Sequence, residues 1–120
     1  MEDPGTAKTS LIARHWKVCL PTARAIITKA GLISVNDSPK KYRWSDIWQL
    51  EGEAYVPPSL WTRFKEPLLT IPELPDLDVD ERSARTWRRH VEHNRLPVIR
   101  LTEDISRVRK CVFEKAQHYV

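Results

Sequence analysis

The stretch that decides the fold is ARTWRRHVEHNRLPVIRL, residues 84–101. Ala84, Trp87 and Val91 recur at helical spacing and form one narrow apolar stripe. Arg85, Thr86, Arg88, Arg89 and Glu92 point away from that stripe. Asn94 suits the left-handed conformation that ends many helices. The run LPVIRL after it reads as a strand. Arginine makes forked contacts to guanine and to phosphate, so a helix with this outward face suits a polyanion. The competing reading is a solvated face whose charges serve solubility.

Working outward, TIPE at 70–73 has capping-box spacing ahead of a short helix, IPELPDL, which Pro75 keeps short. DVDE is a break before the long helix. Downstream, TED is a tight turn, ISRVR a return strand and KCVFEKAQHYV a closing helix. The first half shows the same order. Thr9 or Ser10 caps LIARHW, and KVCL breaks it. Pro21 stands in the first turn of PTARAIITKA, whose Ala23, Ile26, Ile27 and Ala30 share one stripe. Gly31 ends that helix, LISV and YRW are strands about the turn NDSPKK, and Ser45 caps DIWQLEG, with Asp46 near its positive end. An offset of 64 residues aligns Thr22 with Thr86, Arg24 with Arg88, Ile27 with Val91 and Leu32 with Leu96. This predicts a structural repeat: modules at 1–54 and 69–120, joined by a packed connector at 55–68 in which Leu60, Trp61 and Phe64 mark one helical turn. The expected class is mainly α with small β-hairpin wings, an α+β fold.

Charge is segregated. Residues 8–44 carry a net +7, residues 45–79 a net −5 and residues 80–120 a net +4, within a chain of 120 residues and net charge +4. Two basic blocks around an acidic middle fit a polyanion touched at both ends; the alternative is chance clustering in a small protein. No apolar run approaches the roughly 20 residues of a membrane span. The start, MEDPGTAKTS, has no apolar stretch and reads as no signal peptide. Cys19 and Cys111 make no disulfide framework, so a cytoplasmic protein with reduced thiols is expected.

The segment LLTIPELPDLDVDERSARTWRRHVEHNRLPVIRLTEDISRVRKCVFEKA resembles the winged helix-turn-helix of excisionases (recombination directionality factors) and their MerR-like relatives. Thr86-Trp87 matches the Thr-hydrophobic pair that opens the family's recognition helix, and Leu96-Pro97 its exit. Asn94 stands where the family usually has Gly. Residues 9–52 resemble the pattern more loosely through LPTARAIITKAGLI. The resemblance implies tandem winged helix-turn-helix modules. Its candidate DNA-binding residues are Thr22, Arg24, Thr28, Lys29, Lys40, Lys41 and Arg43 in the first, and Arg85, Thr86, Arg88, Arg89, Arg100 and Arg107 in the second. Arg109 joins Arg100 and Arg107 on the second wing's strands, whose tip, Thr102-Glu103-Asp104, is acidic. The implied function is a sequence-specific, double-stranded DNA-binding protein that sets the direction of site-specific recombination. Its implied partner is a site-specific integrase, its setting a bacterial nucleoid. Two reading heads in one chain predict a monomer in solution, with chains lining up along DNA. Two alternatives stay open: a transcriptional regulator of a mobile genetic element or phage, and a protein-interaction adaptor docked through the acidic connector.

No enzyme is expected. There is no Gly-rich phosphate loop, no His-Glu-x-x-His and no Ser or Cys in a nucleophile context. His15 with Cys19, and His90 with His93, supply two ligands each and fall short of a zinc pattern, so neither metal nor cofactor is expected. Glu51, Glu53, Glu66 and Glu73 read as solubilising acids of the middle stretch. Trp16, Trp44 and Trp48 are expected in the first core, with base stacking by Trp44 a poor second.

Overall fold

The protein's structure, a computed structural model, describes residues 3–78, 80–93 and 95–117. Helices take about half of the chain and the strands are short and antiparallel, an α+β architecture. Contacts divide it into two units, Met1–Pro67 and Leu68–Val120. Among the described residues no helix is long and apolar enough to cross a membrane.

The first unit runs β1 (Thr6–Lys8), α1 (Thr9–Trp16), α2 (Leu20–Ala30), β2 (Asn36–Asp37), β3 (Lys40–Arg43), α3 (Trp44–Leu50) and, after a 3-10 turn at Pro58–Leu60, α4 (Trp61–Lys65). Strand β1 was not expected; three residues are too few for alternation to register, although Ala7 is buried between exposed Thr6 and Lys8. It pairs antiparallel with β3, Lys8 opposite Lys41, and β2 lies on the other edge of β3. That pairing corrects two caps. Lys8, still extended in the sheet, occupies the N-cap of α1, so Thr9 is already helical and no side chain caps the helix. Likewise α3 starts at Trp44, whose N–H donates to the Gly5 carbonyl at 3.0 Å; Ser45 lies inside the helix and caps nothing.

Lys17, at φ 55°, ends α1, with Val18 N–H donating back to the Ala13 carbonyl at 3.0 Å. Gly31 ends α2 as expected: at φ 73° its N–H reaches Thr28 and that of Leu32 reaches Ile27, the paired bonds of a Schellman cap. Ala23, Ile26 and Ile27 are buried, but Ala30, beside the cap, is exposed. The strand expected at LISV does not form. The Ser34 hydroxyl accepts from the N–H groups of Asn36 and Lys41 at 3.2 and 3.1 Å and so replaces ladder bonds. Ile33 is 80% exposed.

The three tryptophans lie in this core. Trp44 and Trp48 stack with centroids 5.8 Å apart, and Trp48 meets the Phe64 ring edge-on at 6.1 Å. The Trp48 indole N–H donates to the Phe64 carbonyl at 3.1 Å. The helical turn read at Leu60–Phe64 is present, and the first unit takes it in. Glu51 overturns its reading as a solubilising acid. It is 6% exposed, and its Oε2 accepts the Trp16 indole N–H at 2.8 Å and lies 2.8 Å from His15 Nε2. A carboxylate is tolerable there because buried donors face it. Glu66, by contrast, pairs with Arg63 at 3.3 Å on the surface.

The second unit runs from a 3-10 turn at Ile71–Glu73 into α5 (Leu74–Leu77), then α6 (Ala84–Glu92), β4 (Ile99–Arg100), β5 (Ser106–Arg107) and α7 (Lys110–Ala116). The capping box forms: Glu73 Oε2 accepts from Thr70 N–H at 2.6 Å, so Glu73 too has a structural task. The hairpin strands are two residues each, shorter than LPVIRL and ISRVR predict. Pro97 has no N–H to give a ladder, and the Thr102 hydroxyl takes the N–H groups of Asp104 and Ile105 at 3.2 and 3.1 Å. Outside the hairpin, Leu69 and Val108 form an isolated antiparallel bridge, exchanging two 2.8 Å backbone bonds. Leu69, Leu74, Trp87, Leu96, Val108 and Phe113 form the core. Asp78 ties the break to it by accepting the Trp87 indole N–H at 3.1 Å and the N–H groups of Asp80 and Arg82 at 3.0 Å. The expected cap at Asn94 and the last residues of the closing helix lie outside the described residues.

Candidate nucleic-acid interface

Helix α6 is anchored on its inner face by fully buried Trp87 and at its start by Ser83, whose hydroxyl accepts the Thr86 N–H at 3.2 Å. Turning about 100° per residue, a helix fixed at Trp87 sends Arg85 and Arg89 to the other side and Arg88 to its flank. All three are exposed, and none makes an ion pair among the described residues. Thr86 departs from its assignment. It is half-buried, with its hydroxyl 3.0 Å from that of Ser83, so its polar atom belongs to the cap.

The electrostatics of this face register on His90, which packs edge-on against Trp87 at 5.4 Å. Burial holds its pKa below the ordinary histidine range, and the charges of Arg95, Arg82 and Arg89 push the same way. Its neutral form is therefore favoured at neutral pH.

The second hairpin contributes less than expected. Arg100 is exposed, with Nη1 3.4 Å from the Ser106 hydroxyl. Arg107 is half-buried and donates from Nη1 to the Ser106 carbonyl at 2.8 Å; burial lowers its pKa, against the opposing charge of Glu73. Arg109 is not on the strand at all: it is the N-cap of α7 and only 3% exposed. Glu103 and Asp104 stand exposed at the tip.

In the first unit, one cleft of about 500 Å³ gathers Arg24 and Thr28 of α2, Lys40 of β3 and Lys8 of β1. Arg24 and Thr28 are one turn apart and share a helix face. Lys8 was missed because it lies on the unexpected strand. Lys40 and Lys41, read as turn residues, are in β3, where neighbours face opposite sides. Lys41 accordingly joins Arg14 in a separate depression of about 320 Å³, and Arg43 is exposed. Lys29 is exposed outside the cleft, while Thr22 is half-buried with its hydroxyl 2.9 Å from Cys19 Sγ. That contact, first among its causes, lowers the thiol pKa.

His15 is buried against Glu51, and among the described residues no cluster of three or more His, Cys, Asp or Glu is placed to hold a metal. Trp44 is buried, which removes it from base stacking. Compared with family models, with curated proteins and with solved structures, the chain finds no match in any of the three.

Proposed function

We propose that the protein is a sequence-specific double-stranded DNA-binding protein built from two winged helix-turn-helix modules and acting as an excisionase-type architectural factor. The observation that carries this reading is the outer face of α6, where three exposed arginines stand without an acidic partner among the described residues. A helix with its side chains is about 10–12 Å across, a fit to a major groove about 12 Å wide. Arg85 and Arg89, one turn apart, are the base readers; Arg88 and Arg100 hold phosphates. In the first module α2 is the corresponding helix, and the β2–β3 hairpin is its wing. The acidic tip of the β4–β5 hairpin is repelled by phosphate, so that wing meets DNA along its stem. A site-specific integrase is the protein partner, and the free protein is a monomer.

Selection from a random duplex pool followed by footprinting tests this. The expected result is one recovered sequence protected continuously over more than one helical turn by a monomeric chain. Bending of that duplex, and stimulation of integrase-catalysed excision, identify the architectural role. Protection of a promoter without bending identifies a transcriptional regulator, and recovery of no duplex leaves the adaptor reading.

A further inference from the structure

The first-unit cleft has the composition of an anion seat. Arg24 of α2 and Lys40 of β3 line it together, while Lys8, cross-strand from Lys41, also borders the depression that holds Lys41 and Arg14. The repulsion between Arg24 and Lys40 lacks compensation: among the described residues neither makes an ion pair, including Lys40 with its cross-strand neighbour Asp37. Thr9 and Ser10, the first residues of α1, also line it. No side chain caps α1, so its start carries the partial positive charge of a helix N-terminus toward the cleft's edge. An independent feature points the same way. Tyr42 lines the cleft at 7% exposure, yet its hydroxyl has no partner among the described residues and is not sealed from solvent. The hydroxyl is thus open to donate to a ligand that enters the cleft. Two cations, with Thr9, Ser10 and Tyr42 as hydroxyl donors along the lining, match the acceptor-rich, charged oxygens of a phosphate group.

We propose that this cleft seats one phosphate group, through Arg24, Lys40 and the lining hydroxyls of Thr9, Ser10 and Tyr42. In the DNA complex the group is a backbone phosphodiester, a statement that rests on the DNA-binding reading above; the seat itself does not. The phosphate fixes the register of the first module while α2 lies in the groove.

The test uses the full chain and two variants, Arg24→Ala and Tyr42→Phe, the second of which keeps the buried ring. In the first arm, inorganic phosphate and a 5′-mononucleotide are titrated against the amide resonances of Thr9 and Ser10. Saturable shifts, weakened severalfold in each variant, support the seat. In the second arm, single phosphates of the selected duplex are replaced by uncharged methylphosphonates. One position should cost the natural chain about tenfold in affinity and cost Arg24→Ala less than about twofold, because variant and replacement remove the same contact. Shifts with phosphate and mononucleotide but no such coupled position assign the seat to a free phosphate-bearing ligand and overturn its DNA role. Shifts with phosphate but no duplex binding sink the DNA reading and leave the seat. Duplex binding with no shift at Thr9 or Ser10 and no coupled position overturns the seat and leaves the DNA reading.

Discussion

Replacing Glu51 by alanine should strongly destabilise the first unit. Its Oε2 accepts the Trp16 indole N–H and faces His15 Nε2, each at 2.8 Å, with all three side chains buried. The variant leaves two buried polar groups unsatisfied, at about 1–3 kcal/mol each. Together that is about 2–6 kcal/mol. Against a domain stability of about 5–15 kcal/mol this is a large fraction. Glu51→Gln retains a carbonyl acceptor and loses only charge assistance, about 1 kcal/mol per bond and about 2 kcal/mol in all. Urea unfolding followed by tryptophan fluorescence is the assay, since Trp16, Trp44, Trp48 and Trp61 belong to the first unit and only Trp87 to the second. The alanine midpoint should fall by about 2 M or more with the slope unchanged, and the glutamine midpoint by about half as much. If alanine costs less than about 1 kcal/mol, Glu51 is the solvated acid that its sequence neighbourhood suggests, and the buried network has no energetic weight.

Ser83→Ala should destabilise the second unit by about 0.5–2 kcal/mol through loss of the α6 cap, read as a shift in the denaturant midpoint of Trp87; no shift would remove Ser83 from the anchoring of α6. His90 should make that unit less stable as pH falls through the ordinary histidine range. Its folded pKa lies below the unfolded value, so the unfolded chain takes the proton first and stability rises with pH across that interval. His90→Gln should flatten the slope, and an unchanged slope between pH 5 and 7 would assign it to other groups. Cys19 should react with a thiol reagent faster than Cys111 at neutral pH, and Thr22→Val should slow it, since the Thr22 hydroxyl is the main cause of the lowered thiol pKa; equal rates in the variant would refute that cause.

What the sequence made legible follows from where each signal resides. Helices α2 and α6 were readable because apolar periodicity and caps are local, and Gly31, Thr70 and Glu73 act within a few residues of themselves. The sheet was not. Strand β1 has three residues, and its partner β3 lies more than thirty residues away, so only long-range pairing reveals it. Its consequences, the displaced caps at Thr9 and Ser45 and the presence of Lys8 in the cleft, were invisible for the same reason. Glu51 was misread because a lone acid in an acidic stretch looks solvated, and its donors, His15 and Trp16, sit on another helix. The outward arginines of α6 were legible from spacing alone. That Thr86 serves the cap, that Arg107 is half-buried and that Lys41 turns away from Lys40 required the folded backbone.

The central claim is that α6 reads DNA, and the most direct measurement is the affinity of the natural chain and of Arg85→Ala and Arg89→Ala for the selected duplex and a scrambled one at several salt concentrations. A forked arginine–base contact contributes about 1–3 kcal/mol of discrimination, so each variant should lose about 5-fold to 150-fold on the selected duplex and far less on the scrambled one. Lys40→Ala with Lys41→Ala should instead weaken both duplexes alike and flatten the salt slope by up to about two units. Equal losses on both duplexes for the arginine variants would contradict the account by showing that α6 grips the backbone without reading it, and binding unchanged in every variant would contradict DNA recognition by these faces altogether.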